Sequence, residues 1–520
     1  MTGFIIATYR FRGTADEVRA RARAVAYEQT VELPPALVPD AVRESVVARV
    51  GAPWPAGSAD LFDVELRYPA ELACEQLSQL VNLVYGNVSL LPGVRLVDLQ
   101  LPDDLLAALP GPRFGVDGLR HALGVDGRPL LATAIKPRGL SVDAMAGIAA
   151  AFAAGGGDLI KDDQNLNDPG FDAWYERVAH CAEAVAGANA RRARPCLYAP
   201  HLAGPPQEVE RRATALRGLG LGAVLVSPMI LGLDAVADLG RRHGLILLAH
   251  PAGAGGSVLG PDHGVTPEIL LGTLFRLAGA DVSIFPNAGG RFHFGPDVGA
   301  AIGRALRAPL GDHPTSFPAP AGGMGFDRID DMAAHYGPDT VFLVGGALLG
   351  ADDGLEAATA RFVDRLRDHF GEEERVAEAV SSCELPSDTA SVRSLIRQLD
   401  HYEWEDRPST RYKDDDHLPF RGVRRVELVG PHGERTAFHL RYFEVEPGGH
   451  TSREKHVHTH TIIGARGRGV LERGDERQEL GVHDVAYVAP LEVHRLRNET
   501  AEPFGFYCIV DRERDRPRAP

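Results

Sequence analysis

The chain has few cysteines for its length: five in 520 residues, at Cys74, Cys181, Cys196, Cys383 and Cys508. They are scattered, odd in number and form no Cys-x-x-Cys pair. That argues against a disulfide framework or a thiolate zinc site and fits a reducing cytoplasm. Long apolar runs are also lacking. No window reaches the roughly 18 apolar residues of a membrane span. The opening MTGFIIATYRFRG interrupts its short apolar run at Tyr9 and Arg10, so it reads as a first strand and not as a signal peptide. A surplus of positive charge is missing as well. The formal net charge is -16, and an acidic surface repels both nucleic acid and anionic membranes, so neither is expected as a partner.

What is present is a globular composition, 44% apolar and 24% charged, with 58 Gly and 37 Pro to punctuate turns. At this length about two to four domains are expected. Residues 1–122 mix strands such as FIIATYRF and LFDVELRYP with a helix in TADEVRARARAVAYEQ, where Thr14 precedes Asp16 and Glu17. This is an α+β pattern, and the Thr14 stretch is a helix start. Over residues 123–371 the rhythm becomes strand-then-helix, with apolar runs at LLATAIK, GDLIK, PCLYAP, AVLVSP, LILLAH, DVSIF, TSFPAP and VFLVGG. Roughly eight such units in about 240 residues match a (β/α)8 barrel. A doubly wound sheet is the alternative, but no Gly-x-Gly-x-x-Gly follows the first of these strands. Residues 372–420 read as a linker with some helix, and residues 421–515 hold only strands and Gly-bounded turns, a small antiparallel barrel or sandwich.

In a (β/α)8 barrel the chemistry sits at the C-terminal ends of the strands. Those ends carry Lys136 and Arg138, then Lys161, Asp162 and Asp163, then His201, His250, Asn287 and Arg291, and finally Gly322-Gly323 and Gly345-Gly346. Each glycine pair alone reads as a tight turn. Together, after strands seven and eight, they are where bare backbone N–H groups commonly cradle a phosphate. Lys136, Arg138 and Arg291 are candidate cations for a phosphorylated, carboxylated substrate. In GGGDLIKDDQNLN, strand alternation puts Lys161 and Asp163 on one side and Asp162 on the other. A lysine between acids is either an ion pair or, after reaction with CO2, a carbamate ligand beside Asp163 for a hard ion such as Mg2+.

These motifs resemble rubisco and the rubisco-like proteins over about residues 1 to 370. GGGDLIKDDQ is similar to the family's activation motif, ATAIKPRGLS to its strand-one catalytic motif, AGGM and VGGA to its phosphate-binding segments, and NLVYGNVSLLPGVRLVDLQLP to the end of its N-terminal domain. The resemblance implies an N-terminal α+β domain before a (β/α)8 barrel. It makes Lys161 a carbamylated lysine, with Asp163 and Gln164 as companion Mg2+ ligands. Lys136 becomes the acid/base lysine of enolisation. Asn87 would reach a neighbouring subunit's site in a head-to-tail homodimer, and Gly322, Gly323, Gly345 and Gly346 would hold phosphate. Three departures stand out. Gln164 replaces a glutamate, Pro251 follows His250 where an arginine grips phosphate, and Pro286 stands where a histidine is expected. Arg291 stands near the place of the lysine that assists CO2 addition, and arginine is a poor acid for that step.

Carboxylation is therefore not expected, whereas enolisation of a ketose phosphate is. HPAG and FPNAGGRF look most like rubisco-like proteins that decarboxylate or cleave a branched 3-oxo-acid sugar phosphate such as 3-oxo-isoapionate 4-phosphate. The alternatives are an isomerase or enolase of methylthio-ketose phosphates in methionine salvage and, in another class, a non-catalytic sugar-phosphate sensor. Near the C-terminus, EKHVHTH places Glu454, His456, His458 and His460 on one face if the segment is a strand, with His494 about a hairpin later. Such an array is either a solvated edge or a transition-metal site. It resembles the two metal motifs of the cupin fold, an all-β jelly roll. His456, His460 and His494 are the first choice of ligands, for Mn2+, Fe2+, Ni2+ or Zn2+.

Overall fold

The computed structural model describes residues 3–290, 292, 294–371, 395–412, 419–430, 438–456, 459–474, 476–489 and 491–511. Arg291, His458 and most of the stretch expected as linker lie outside the described residues. Among the described residues no helix is long and apolar enough to cross a membrane. The chain forms two compact units, one before and one after residues 372–394.

The first unit opens with β1 (Phe4–Arg12), β2 (Arg49–Val50), β3 (Trp54–Ala56), β4 (Ser58–Pro69) and β5 (Arg95–Gln100), an antiparallel sheet. The helix over 15–28 begins where Thr14 and Glu17 cap each other, Thr14 N to Glu17 Oε2 at 2.8 Å and Glu17 N to Thr14 Oγ1 at 3.4 Å. Its Val18, Ala22, Val25 and Ala26 are buried in the core of this unit.

The strands β6 (Leu130–Ile135), β7 (Leu159–Asp162), β8 (Leu197–Ala199), β9 (Ala223–Val226) and β10 (Ile246–Ala249) follow. Next come β11 (Gly264–Val265), β12 (Val282–Pro286), β13 (Phe317–Ala321) and β14 (Val341–Leu343). All but β11 form an eight-stranded parallel sheet in the order β8-β7-β6-β14-β13-β12-β10-β9. It closes into a barrel where His201 bridges Leu225, with Leu225 N donating to Pro200 O at 2.9 Å. The eight strands are the eight apolar runs of the sequence. β11, from the loop after β10, pairs instead with β5 and joins the barrel to the N-terminal sheet.

Side chains of the barrel strands alternate between two apolar layers, as the pleat requires. Leu130, Ala132, Leu159, Leu225, Leu248, Ile284 and Phe317 fill the inside of the barrel. Leu131, Ile160, Val224, Leu247 and Phe342 face the surrounding helices. At the start of β7, Asp158 is 1% exposed and accepts from both Arg128 terminal nitrogens, at 2.7 and 2.9 Å, and from Leu131 N at 2.7 Å.

The second unit is β15 (Ser409–Arg411), β16 (Arg421–Val429), β17 (Phe438–His450), β18 (His460–Arg466), β19 (Gly469–Arg473), β20 (Glu476–Leu480), β21 (Val485–Val488), β22 (His494–Arg497) and β23 (Phe504–Asp511). All nine join one antiparallel sheet curled around Phe443, Val445, Ile462, Leu471, Phe504 and Phe506. Part of the stretch expected as linker belongs here. Trp404 packs on Val426, Leu428 and Tyr442, and Tyr412 enters the interior cluster. Two buried aromatics anchor a polar segment whose composition reads as solvated.

Removing the carboxylate of Asp158 would take from the buried Arg128 guanidinium the group that pairs with both of its terminal nitrogens. Asp158→Ala is expected to cost about 3–5 kcal/mol, read as a lowered urea midpoint. A change below about 1 kcal/mol would show the pair to be dispensable.

Candidate active site and metal centre

A cavity of about 1020 Å³ opens at the C-terminal ends of the barrel strands, lined by Lys136, Lys161, Asp163, Gln164 and His250 and by Gly322, Gly323, Gly345 and Gly346. Arg138 is placed differently. It is exposed, its Nη2 donates to Asn167 O at 3.5 Å, and it does not line the cavity. Asn87 lies on the surface of the N-terminal part, where its Nδ2 donates to Glu28 and Glu32 at 3.0 Å. Asn287 turns away as well, its Nδ2 against the sulfurs of Met324 and Met332 and its Oδ1 accepting from Tyr336.

β7 orients the lysine by burying the acid next to it. Asp162 is fully buried, accepting from Arg177 Nη1 at 2.9 Å, the Tyr198 hydroxyl at 2.8 Å and His201 N at 2.9 Å. Its neighbours are thereby turned inward, as alternation predicts. Lys161, opposite Ala134 of β6, is 3% exposed and donates from Nζ to Asp162 O at 3.0 Å. Burial pulls its amine down to about 8, with the Lys136 charge acting in the same direction and Asp163 and Asp162 opposing. A fraction of neutral amine is therefore present near neutral pH.

His250 is held as a neutral imidazole. Its Nδ1 accepts from Ala252 N at 3.1 Å, which leaves the ring proton on Nε2. Burial, reinforced by Lys161 and His201, lowers it to about 3. Lys136 is half-buried and lies against β14's exit. A Cβ added at Gly345 would come within 2.8 Å of Lys136 Nζ. Gly323 has φ +65° and sits against the backbone of Gly289 and Gly290, so the loops after β12 and β13 meet main chain to main chain.

The barrel donors fit a hard divalent ion only in part as they stand. Asp163 offers one carboxylate and Gln164 one amide oxygen. Lys161 as an amine adds no anionic oxygen, whereas as a carbamate it would complete an oxygen set of the kind Mg2+ takes. The rest of the cavity is apolar. Val258, Leu259, Leu271, Phe294 and Met324 line it together with Pro251 and Pro286. Most of these come from loops or helices, and no periodicity in the sequence marks them.

The second unit brings together His456, His460 and His494, with candidate ligand nitrogens all within 4.8 Å of one another. The rings of His456 and His460 stack at 4.3 Å, and His494 stands edge-on to both at 4.9 and 5.2 Å. His494 Nδ1 lies 2.9 Å from Glu492 O. A carbonyl only accepts, so that nitrogen carries the proton and Nε2 is left for a metal. Three imidazole nitrogens suit a transition ion. A continuous strand is expected over Glu454 to His460; among the described residues β18 begins at His460. Glu454 pairs instead with His494 across the barrel, and its Oε2 accepts from Ser452 Oγ at 2.5 Å.

Because Gly345 makes room for Lys136 Nζ, Gly345→Ala is expected to displace that group with the fold intact. Turnover should fall about 10- to 100-fold, while thermal unfolding stays unchanged. Unaltered turnover would remove Lys136 from the reacting centre.

Residues 115–290 match the family described as ribulose bisphosphate carboxylase large chain, catalytic domain, and residues 441–510 match the cupin domain. Over 371 residues the chain is 41% identical to ribulose bisphosphate carboxylase-like protein 1 of Rhodopseudomonas palustris, covering 71% of this chain and 99% of that protein. Over 366 residues it is 38% identical to 5-methylthioribulose-1-phosphate isomerase of Rhodospirillum rubrum, covering 70% of this chain and 96% of that protein. The crystal structure of a rubisco-like protein from Rhodopseudomonas palustris matches with a TM-score of 0.65 at 37% identity, over 71% of this chain and 99% of that one. The chain thus belongs to the ribulose bisphosphate carboxylase-like proteins, with a cupin domain after the shared part.

Proposed function

We propose that the barrel is an isomerase or enolase of a ketose 1-phosphate carrying an apolar tail, and that it does not fix CO2. The observation that carries this reading is the lining of the cavity. Gly322, Gly323, Gly345 and Gly346 line it with Lys136, and Pro251, Val258, Leu259 and Phe294, from the loops after β10 and β12, line it as well. One phosphate cradle and one apolar wall suit a monophosphate with a hydrophobic end. The relative named 5-methylthioribulose-1-phosphate isomerase supports the same class. For decarboxylation of a branched 3-oxo-acid phosphate, the first reading of the sequence, Arg138 is one of the three cations the sequence offers for the carboxylate, and it does not line the cavity.

In this reading the substrate phosphate lies on the glycine backbones. Lys136 is the group that takes the proton from the carbon next to the carbonyl and returns it to the neighbouring position. The His250 Nε2–H donates to a substrate oxygen. Mg2+ held by carbamylated Lys161, Asp163 and Gln164 would supply electrophilic polarisation of the carbonyl. Asn87, away from its own chain's cavity, would serve the cavity of a second copy in a homodimer. The cupin is proposed to hold a transition ion on His456, His460 and His494.

The test is 5-methylthioribulose 1-phosphate in D2O with Mg2+ and bicarbonate, followed by proton NMR. Deuterium is expected to enter next to the carbonyl, and Lys136→Met should slow this about 10²- to 10⁴-fold. Ligand-induced stabilisation without exchange would overturn the reading, as would CO2 release from 3-oxo-isoapionate 4-phosphate in its place.

The neutral Lys161 amine is the form that adds CO2. Because its pKa is lowered to about 8, the reactive fraction rises with pH and is half-complete near that value. At fixed dissolved CO2, a carbamate signal from labelled bicarbonate should grow between about pH 7 and about pH 9 and be absent in Lys161→Ala. A flat signal would separate Lys161 from activation.

A further inference from the structure

One side chain that the proposed reaction does not use joins the loops after β12 and β13. Arg328 stands just before the helix Ile329–Tyr336, and its side chain is 26% exposed. Its Nη1 donates to Ala288 O at 3.2 Å, in the loop after β12, and to Gly323 O at 3.4 Å, in the loop after β13. Its Nε and Nη2 both donate to Asp331 Oδ2, at 3.1 and 2.7 Å, which holds the guanidinium by its other edge. Arg328 does not line the barrel cavity. It lines a separate hollow of about 260 Å³, together with Asn287, Ala288, Gly289 and Asp331.

The two loops touch through their main chains. A Cβ added at Gly323 would come within 3.0 Å of Gly289 O and 3.1 Å of Gly290 Cα, and one added at Gly290 would come within 3.1 Å of the Gly322 carbonyl. Asn287 N donates to Ala321 O at 2.9 Å, so the loops leave their strands side by side, and Arg328 ties them further along. In a planar trans peptide the N–H points opposite to the C=O. Holding Gly323 O toward the guanidinium therefore turns the Met324 N–H away from it. Gly323 and Met324 line the cavity that Arg328 does not reach. Among the described residues neither the Gly323 N–H nor the Met324 N–H donates to a protein acceptor. Unpaired N–H groups of successive residues beside a cavity are donors for an anionic oxygen.

We propose that Arg328 is a positioning residue of the barrel site, locking the loops after β12 and β13 together so that the N–H groups of Gly323 and Met324 stay aimed at the substrate phosphate. The guanidinium acts through the loops and does not touch the ligand. The inference rests on the phosphate cradle of the proposed function and adds the residue that sets its shape. Arginine suits the place because one edge of its planar fork meets two carbonyls while the other grips a carboxylate, a division that an ammonium does not reproduce. Donors already held in place lose little to ordering when the phosphate arrives.

The experiment titrates the full chain with inorganic phosphate by calorimetry, in Mg2+ and without a transition ion, as the unaltered protein and as Arg328→Met, Arg328→Lys and Gly323→Ala. Saturable binding is expected, weakened at least about tenfold in Arg328→Met and less in Arg328→Lys. Gly323→Ala leaves the cation in place and pushes the loops apart, so it is expected to weaken phosphate as well. Thermal unfolding midpoints within about 2 °C of one another show that each variant is folded, and Arg328→Lys with Gly323→Ala decides if Arg328→Met is not. With 5-methylthioribulose 1-phosphate, deuterium exchange by Arg328→Met should show KM raised about tenfold and kcat within about threefold, a split that general loss of structure does not give. Absence of phosphate binding to the unaltered protein overturns the proposal, and so does unchanged affinity in a folded Arg328 variant. Weakening in Arg328→Met with none in Gly323→Ala would make the guanidinium a direct ligand and overturns it too. Phosphate binding that follows these expectations without deuterium exchange overturns the reaction read for the barrel and leaves this inference standing.

Discussion

Asp162 is buried at the end of β7, where its carboxylate accepts from Arg177, Tyr198 and the backbone of His201. These donors come from the following helix, from β8 and from the loop beyond it. A buried carboxylate with several donors is strongly fixed, because losing any one leaves charge without compensation. Since side chains on a strand alternate, anchoring Asp162 outward commits Lys161 and Asp163 to the cavity. The lowered basicity of Lys161 and the oxygen donors beside it both depend on that orientation.

The barrel was legible because each strand is a short apolar run followed by a helix, and the structure uses all eight such runs. The inward placement of Lys161 and Asp163 followed from alternation alone, and the glycine pairs from their position after the seventh and eighth strands. Arg138 was misplaced because it lies two residues past Lys136, where the chain has left the strand and alternation no longer fixes direction. The apolar wall of Val258, Leu259 and Phe294 was invisible, since loop residues become neighbours only once the barrel closes. In the cupin, the histidines were found by type and number. Among the described residues the strand begins at His460, while Glu454 forms an isolated bridge with His494.

The same limits explain the shift in functional reading. Sequence segments near strands five and six resembled those of proteins acting on acid sugars, which drew attention to decarboxylation. The folded cavity has a different emphasis: its lining combines glycine backbone and lysines with many hydrocarbon side chains. Pro251 and Pro286, read from sequence as losses, are part of that surface. A substitution that removes a charge from a pocket also changes what the pocket can solvate.

The barrel and the cupin offer donors of unlike kind. Beside Lys161 the available atoms are oxygens, and around His494 they are nitrogens. Oxygen sets favour hard ions that retain their water, whereas imidazole sets follow the rising affinity across the first transition row. A cell supplying both kinds of ion could therefore fill each centre without exchange between them. One polypeptide would carry two chemically sorted metals in fixed one-to-one proportion, with no chaperone needed to tell the centres apart.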